Sequence, residues 1–185
     1  MIAIFKLESD KDEVVPKFTA VQSYFGRWML YVVMGLIQSL IICVGDLLLL
    51  GVQCKSPAAF IFAGLFTSFV YVNIIYTFTV SFGDVGKAIC VVLLVMQVAG
   101  SGGTFPIEVA PEIFQKIYPF LPFTHSMTAM RECVAGFYQY TYWAELGIMC
   151  LFLLASLFLG LVLRKPVIRL NELFIENWKI QIDVI

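Results

Sequence analysis

Long apolar runs broken by short polar segments set the pattern of this chain. The first covers about residues 28–51, "WMLYVVMGLIQSLIICVGDLLLLG". At about 1.5 Å per residue a helix of that length reaches roughly 35 Å, enough to cross a hydrocarbon layer about 30 Å thick. Further runs cover about residues 58–82, 87–105 and 142–163. A segment inside lipid must satisfy its own backbone, so run length alone predicts helices. "VQCKSP" and "FGDVGK" have room only for tight turns, which makes the first, second and third spans antiparallel neighbours. The connection at about residues 106–140 is much longer, and such connections are usually functional or separately structured.

That connection belongs to the stretch "GSGGTFPIEVAPEIFQKIYPFLPFTHSMTAMRECVAGF", punctuated by Pro106, Pro111, Pro119 and Pro122. Pro111 suits the first turn of a short helix, and Glu112 complements the positive end of its dipole. Ile113, Phe114, Ile117, Tyr118 and Leu121 fall near one face, so this helix is expected to lie on or dip into the membrane surface. Pro119 and Pro122 end it. Thr124 opens a second helical piece, which glycine preference closes at Gly136. The predicted fold is an all-α integral membrane protein: four transmembrane helices plus a proline-broken extracellular helical hairpin before the last span.

Composition supports the lipid setting. The chain of 185 residues is 61% hydrophobic and 14% charged. Soluble domains sit near one half and one quarter, so one small core could not hold this excess. The lipid bilayer is therefore the first expected partner. A net charge of −1 gives no reason to expect nucleic acid. "MIAIFKLESDKDEVV" lacks the basic and long apolar regions of a signal peptide, so the first hydrophobic helix is expected to direct insertion. With the N-terminus inside, Lys17, Arg27, Lys87, Arg164, Lys165 and Arg169 fall on inner segments and Lys55, Lys116 and Arg131 on outer ones. That bias predicts both termini in the cytoplasm. The expected division is a cytoplasmic or interfacial segment at 1–27, a membrane domain at 28–165 and a cytoplasmic tail at 166–185. The tail alternates loosely and fits an interfacial helix or a strand.

Candidate chemistry is sparse. Cys43, Cys54, Cys90, Cys133 and Cys150 form no CxxC pair and have no metal-ligand spacing; they read as small buried hydrophobes. Phosphate-loop, HExxH and GxSxG motifs are missing, so no catalytic residue, metal or cofactor is expected and any ATP hydrolysis needs another chain or domain. His125 is the chain's one histidine, and a lone histidine supplies one ligand. Glu132, seven positions on, does not complete a site, so His125 reads as exposed or hydrogen-bonding. Arg131 is expected to pair with an acid or reach lipid phosphate. Within the spans, Gln38 and Asp46 lie near one face; Asn73, Thr77 and Ser81 form a stripe at i, i+4, i+8; Gln97 and Ser101 repeat at i, i+4. Two readings stay open. These residues are interhelical glue, worth about 0.6–2 kcal/mol per hydrogen bond, or a polar seam lining a substrate path.

The third span and the hairpin resemble the C-terminal membrane region of the YhgE/Pip (phage infection protein) family, within the ABC-2-type permease-like group. The resemblance rests on Gln97, "GSGGTFP", "YPFLPFTHSM", Arg131 and Gly136, with the first span fitting the same region; it covers about residues 20–165. It implies a six-span bacterial cell-membrane permease in which a first span, a large extracellular region and a second span precede a block like this one. This chain would then hold the last four spans. It also implies short extracellular helices before the last span, pairing of two transmembrane halves as a homo- or hetero-oligomer, and a separate ATPase subunit. The expected function is a permease-like subunit of an export system. The alternative is a non-transporting receptor or scaffold in phage infection or secretion.

Overall fold

The computed structural model describes residues 20–100, 102, 107–109 and 111–160. The expectations for residues 1–19, Ser101, Pro106 and the tail at 166–185 lie outside the described residues. The helices are α1 (Ala20–Leu48), α2 (Pro57–Gly100), α3 (Glu112–Ile117), α4 (Pro122–Ala135) and α5 (Gln139–Phe158), with 3-10 turns at Ile107–Val109 and Tyr118–Phe120. Among the described residues there is no strand. Three segments are long and apolar enough to cross a membrane: Phe25–Leu48, Pro57–Gly83 and Gln139–Phe158. Val85–Gly100 is apolar but shorter. At 1.5 Å per residue it reaches about 24 Å, less than a hydrocarbon core of about 30 Å.

The turn expected at "FGDVGK" lies inside α2. Gly83 takes φ 58° and ψ −129°, a conformation that a Cβ would oppose. Gly86 then lies against the carbonyl of Phe78, eight residues earlier. In a straight helix residues that far apart are separated by about 12 Å. The contact therefore means that the helix doubles back at Gly83, giving α2 two arms.

The first arm is the hub. Tyr31 packs on Tyr76, Gly35 meets Val72 and Cys43 meets Gly64, an order that sets α1 antiparallel to it. Tyr71 meets Phe123 and Gly64 meets Met130, so α4 is antiparallel to it as well. The Tyr142 hydroxyl donates to the Ala59 carbonyl at 2.9 Å, which places the start of α5 beside the start of α2. Small residues allow these close approaches: a Cβ on Gly64 would collide with the Cys43 sulfur and crowd Met130. Cys43, Phe60, Ala63, Ala129, Cys133, Tyr142 and Leu146 form the core between the four elements.

Polarity runs opposite to that of a soluble protein. Met29, Ile37 and Ile41 of α1, Val91, Val92 and Val95 of α2, and Leu151, Leu154 and Phe158 of α5 are exposed. Asn73, Thr77, Ser81, Gln97 and His125 are buried. Apolar side chains outside and polar groups inside are what lipid demands.

The end of α4 departs from expectation in detail. The chain leaves the helix at Gly136, but Gly136 is extended at φ 176°. The left-handed residue is Phe137, at φ 51°. The amides of both residues donate to the Glu132 carbonyl, and the Phe137 ring packs on Tyr142 at 5.3 Å. Aromatic packing thus offsets the steric cost that glycine was expected to avoid.

Candidate functional site

Prolines set the start of α4. Leu121 is extended at φ −91°, ψ 120°, as the residue before a proline tends to be, and Pro122 occupies the first turn. Because Phe123 lies opposite Tyr71, α4 begins roughly 20 Å along the first arm from Pro57, at about 1.5 Å per residue. A surface helix would begin near the arm's end; this one begins near its middle. Gly100 at the end of the second arm closes the other side, since a Cβ there would touch Leu121 and Phe114 at 3.0 and 3.2 Å.

One turn into α4, His125 is 8% exposed and held at both ring nitrogens. Nδ1 is 2.5 Å from Oε2 of Glu145 on α5. Nε2 is 3.0 Å from the Pro119 carbonyl. The Phe152 ring lies 6.1 Å away, on α5 as well. A carbonyl only accepts, so Nε2 must carry a proton and donate. Nδ1 and the carboxylate then share one more proton between them. The pair is either imidazolium with carboxylate or imidazole with carboxylic acid, and each form satisfies both groups in a site poor in water.

Glu145 is the residue that sequence reading missed. Its position inside the last apolar run was the available signal, because an ionisable residue at membrane depth is a functional candidate by default. Glu132, considered as a partner for His125, instead accepts from the Tyr138 amide at 3.2 Å. Among the described residues no group of three or more His, Cys, Asp and Glu side chains is placed to hold a metal ion.

The predicted polar residues separate into two sets. Asn73 accepts from the Trp28 indole at 2.9 Å and donates to the Phe69 carbonyl at 2.8 Å. Thr77 is buried on the same stripe. Gln97 is buried with its carbonyl oxygen unpartnered, as is the Thr124 hydroxyl. Gln38 is exposed on α1 and Asp46 is half-buried near its end, so the structure does not gather them with Asn73. In the hairpin, Pro111 is exposed and Pro122 buried. Arg131 donates to the Gly102 carbonyl at 2.7 Å, which ties α4 back to the end of α2. Cys54 and the Lys55 amide both donate to the Cys133 carbonyl, at 3.2 and 3.1 Å. Burial pushes the Cys133 thiol up to about 11, and nearby Cys54 and Glu132 add to the effect.

Residues 17–162 match the family model described as ABC-2 family transporter protein. The chain belongs to the ABC-2 transporter family. It is a permease-like membrane protein, and its family is a transport membrane component rather than an enzyme family. The matched range of this ABC-2 chain takes in α1 to α5 and both members of the His125–Glu145 pair. It is similar to the uncharacterized protein YhgE of Bacillus subtilis (strain 168), 33% identical over 127 residues, which is 68% of this chain. The aligned part is 16% of YhgE, so the ABC-2 chain spans about a sixth of the length of that relative. No solved structure matches.

Proposed function

We propose that this ABC-2-family chain is a membrane subunit of an export system, working with a second transmembrane half and a separate ATPase. Its membrane domain occupies residues 28–165 of the bacterial cell membrane, between a segment at 1–27 and a tail at 166–185. Four crossings, with the second arm of α2 as the third, put both termini in the cytoplasm and the α3–α4 hairpin on the outer side. The lysine and arginine distribution supports this orientation. Family membership over residues 17–162 is the observation that carries the reading.

Within that reading the polar seam divides by chemistry. Asn73 has its amide occupied by Trp28 and Phe69, and serves as glue with Thr77 beside it. Gln97 and Thr124 have unfilled hydrogen-bonding capacity, which assigns them to the substrate path; Ser101, four positions after Gln97 in the sequence, is assigned with them by spacing. Gln38 and Asp46 face the second half. The test is export by a Gln97→Leu variant present in the membrane at the normal level. A loss of roughly ten-fold or more is expected, equivalent to about 1.4 kcal/mol. Wild-type export from that variant removes Gln97 from the path. Co-purification with an ATPase tests the partner separately.

The size of YhgE favours a second reading. Most of that relative lies outside the matched block, as in a protein that presents a large domain and uses the membrane part as an anchor or scaffold. Deleting the gene and measuring phage adsorption and infection tests the receptor form; unchanged infection removes it.

A further inference from the structure

We propose that His125 and Glu145 form a proton-binding site inside the membrane domain, and that the bound proton fastens α4 to α5. The inference stands on the geometry of the pair and does not depend on the export reading. The Pro119 carbonyl commits Nε2 to donating, so every bonded arrangement of Nδ1 and Glu145 contains one shared proton. Removing it leaves a lone pair facing a carboxylate 2.5 Å away, two acceptors that must separate. The side chains are 11% and 19% exposed, which leaves little room for water to bridge them. The clasp is therefore closed while the shared proton is bound and opens when it leaves.

No other charged group competes at this position among the described residues. Glu145 and the Phe152 ring face His125 from α5, and the Pro119 carbonyl faces it from the preceding turn. From α2, Tyr71 packs on Phe123. On α4 itself Arg131 is bound to the Gly102 carbonyl and Glu132 to the Tyr138 amide. Those ties, with the Lys55 and Cys54 bonds to Cys133, gather at the C-terminal end of α4. Its N-terminal half is tied to α5 by His125. Losing the proton releases the end that lies beside Thr124 and the middle of α2, while the other end stays anchored.

Because the chain has a single histidine, isotopic labelling of histidine reports one site. Full-length protein carrying 15N-histidine and 13C-glutamate, in phosphatidylcholine–phosphatidylglycerol vesicles, is studied by solid-state NMR from about pH 5 to about pH 9, the range in which an imidazole ordinarily titrates. The expected result is an Nδ1–carboxyl contact with the shared proton at the acid end, lost in one protonation step. In Glu145→Gln the side-chain amide donates to neutral Nδ1, so the contact persists without the proton. A wild-type contact unchanged across the range overturns the proposal, as does a Glu145→Gln contact that is lost over the same range as the wild-type one. If Glu145→Gln fails to fold, the wild-type titration alone decides.

Discussion

Asn73 and Cys133 show what single side chains do in this interior. Asn73 uses both halves of its amide, one toward α1 through Trp28 and one toward its own helix. A double-mutant cycle of Asn73→Leu and Trp28→Phe is expected to give a coupling of about 0.6–2 kcal/mol, read from unfolding in mixed micelles. Cys133 is buried with its thiol raised to about 11, and reagents need the thiolate. Cys133 in the native protein should therefore resist maleimide at neutral pH. Its labelling should rise as pH climbs toward 11, which mass spectrometry of the labelled peptides checks. Because the folded state holds this proton more tightly than an ordinary thiol does, the contribution to stability is present below about 9 and is lost as pH rises through about 11. The stripe of Asn73, Thr77 and Ser81 was legible as a spacing. The partner of His125 was not, because Glu145 lies 20 residues away on another helix and no spacing rule joins them. Which face of α1 turns inward was equally hidden, since the run is apolar around most of its circumference and two of its polar residues, Gln38 and Asp46, are not among the buried ones.

At the level of elements, apolar run length marked the cores of α1, both arms of α2, and α5, while prolines marked α3 and α4. Depth was not legible. The sequence places α4 between two prolines and a glycine but does not say that its first turn pairs with Tyr71 rather than with the start of α2. That pairing depends on close approach between helices. The reversal at Gly83 is the most exposed to substitution. Gly83→Ala forces a Cβ into φ 58°, ψ −129°, at a cost on the order of 1–3 kcal/mol. The expected outcome is a lower thermal midpoint in detergent with the helix content of each arm retained, measured by circular dichroism. A midpoint equal to wild type would mean that the two arms do not require this turn.

For the whole molecule, the number of crossings decides which side each end faces. With four, tags at the two termini report the same compartment; with the second arm of α2 failing to cross, they report opposite ones. Fusing a cytoplasm-active and a periplasm- or exterior-active reporter to each end in turn distinguishes these outcomes, and both termini inside is the expected result. Composition made the lipid setting legible at this scale; the arrangement about the first arm of α2 was not. Gly64 meets α1 at Cys43 and α4 at Met130, leaving room for little more than a hydrogen atom. Mechanically that point is a fulcrum. A tilt of α4 would press through Gly64 on α1, so the two helices would move as the arms of one lever rather than as independent struts. Gly64→Leu would jam the lever, blocking motion at both ends even where neither helix is itself altered.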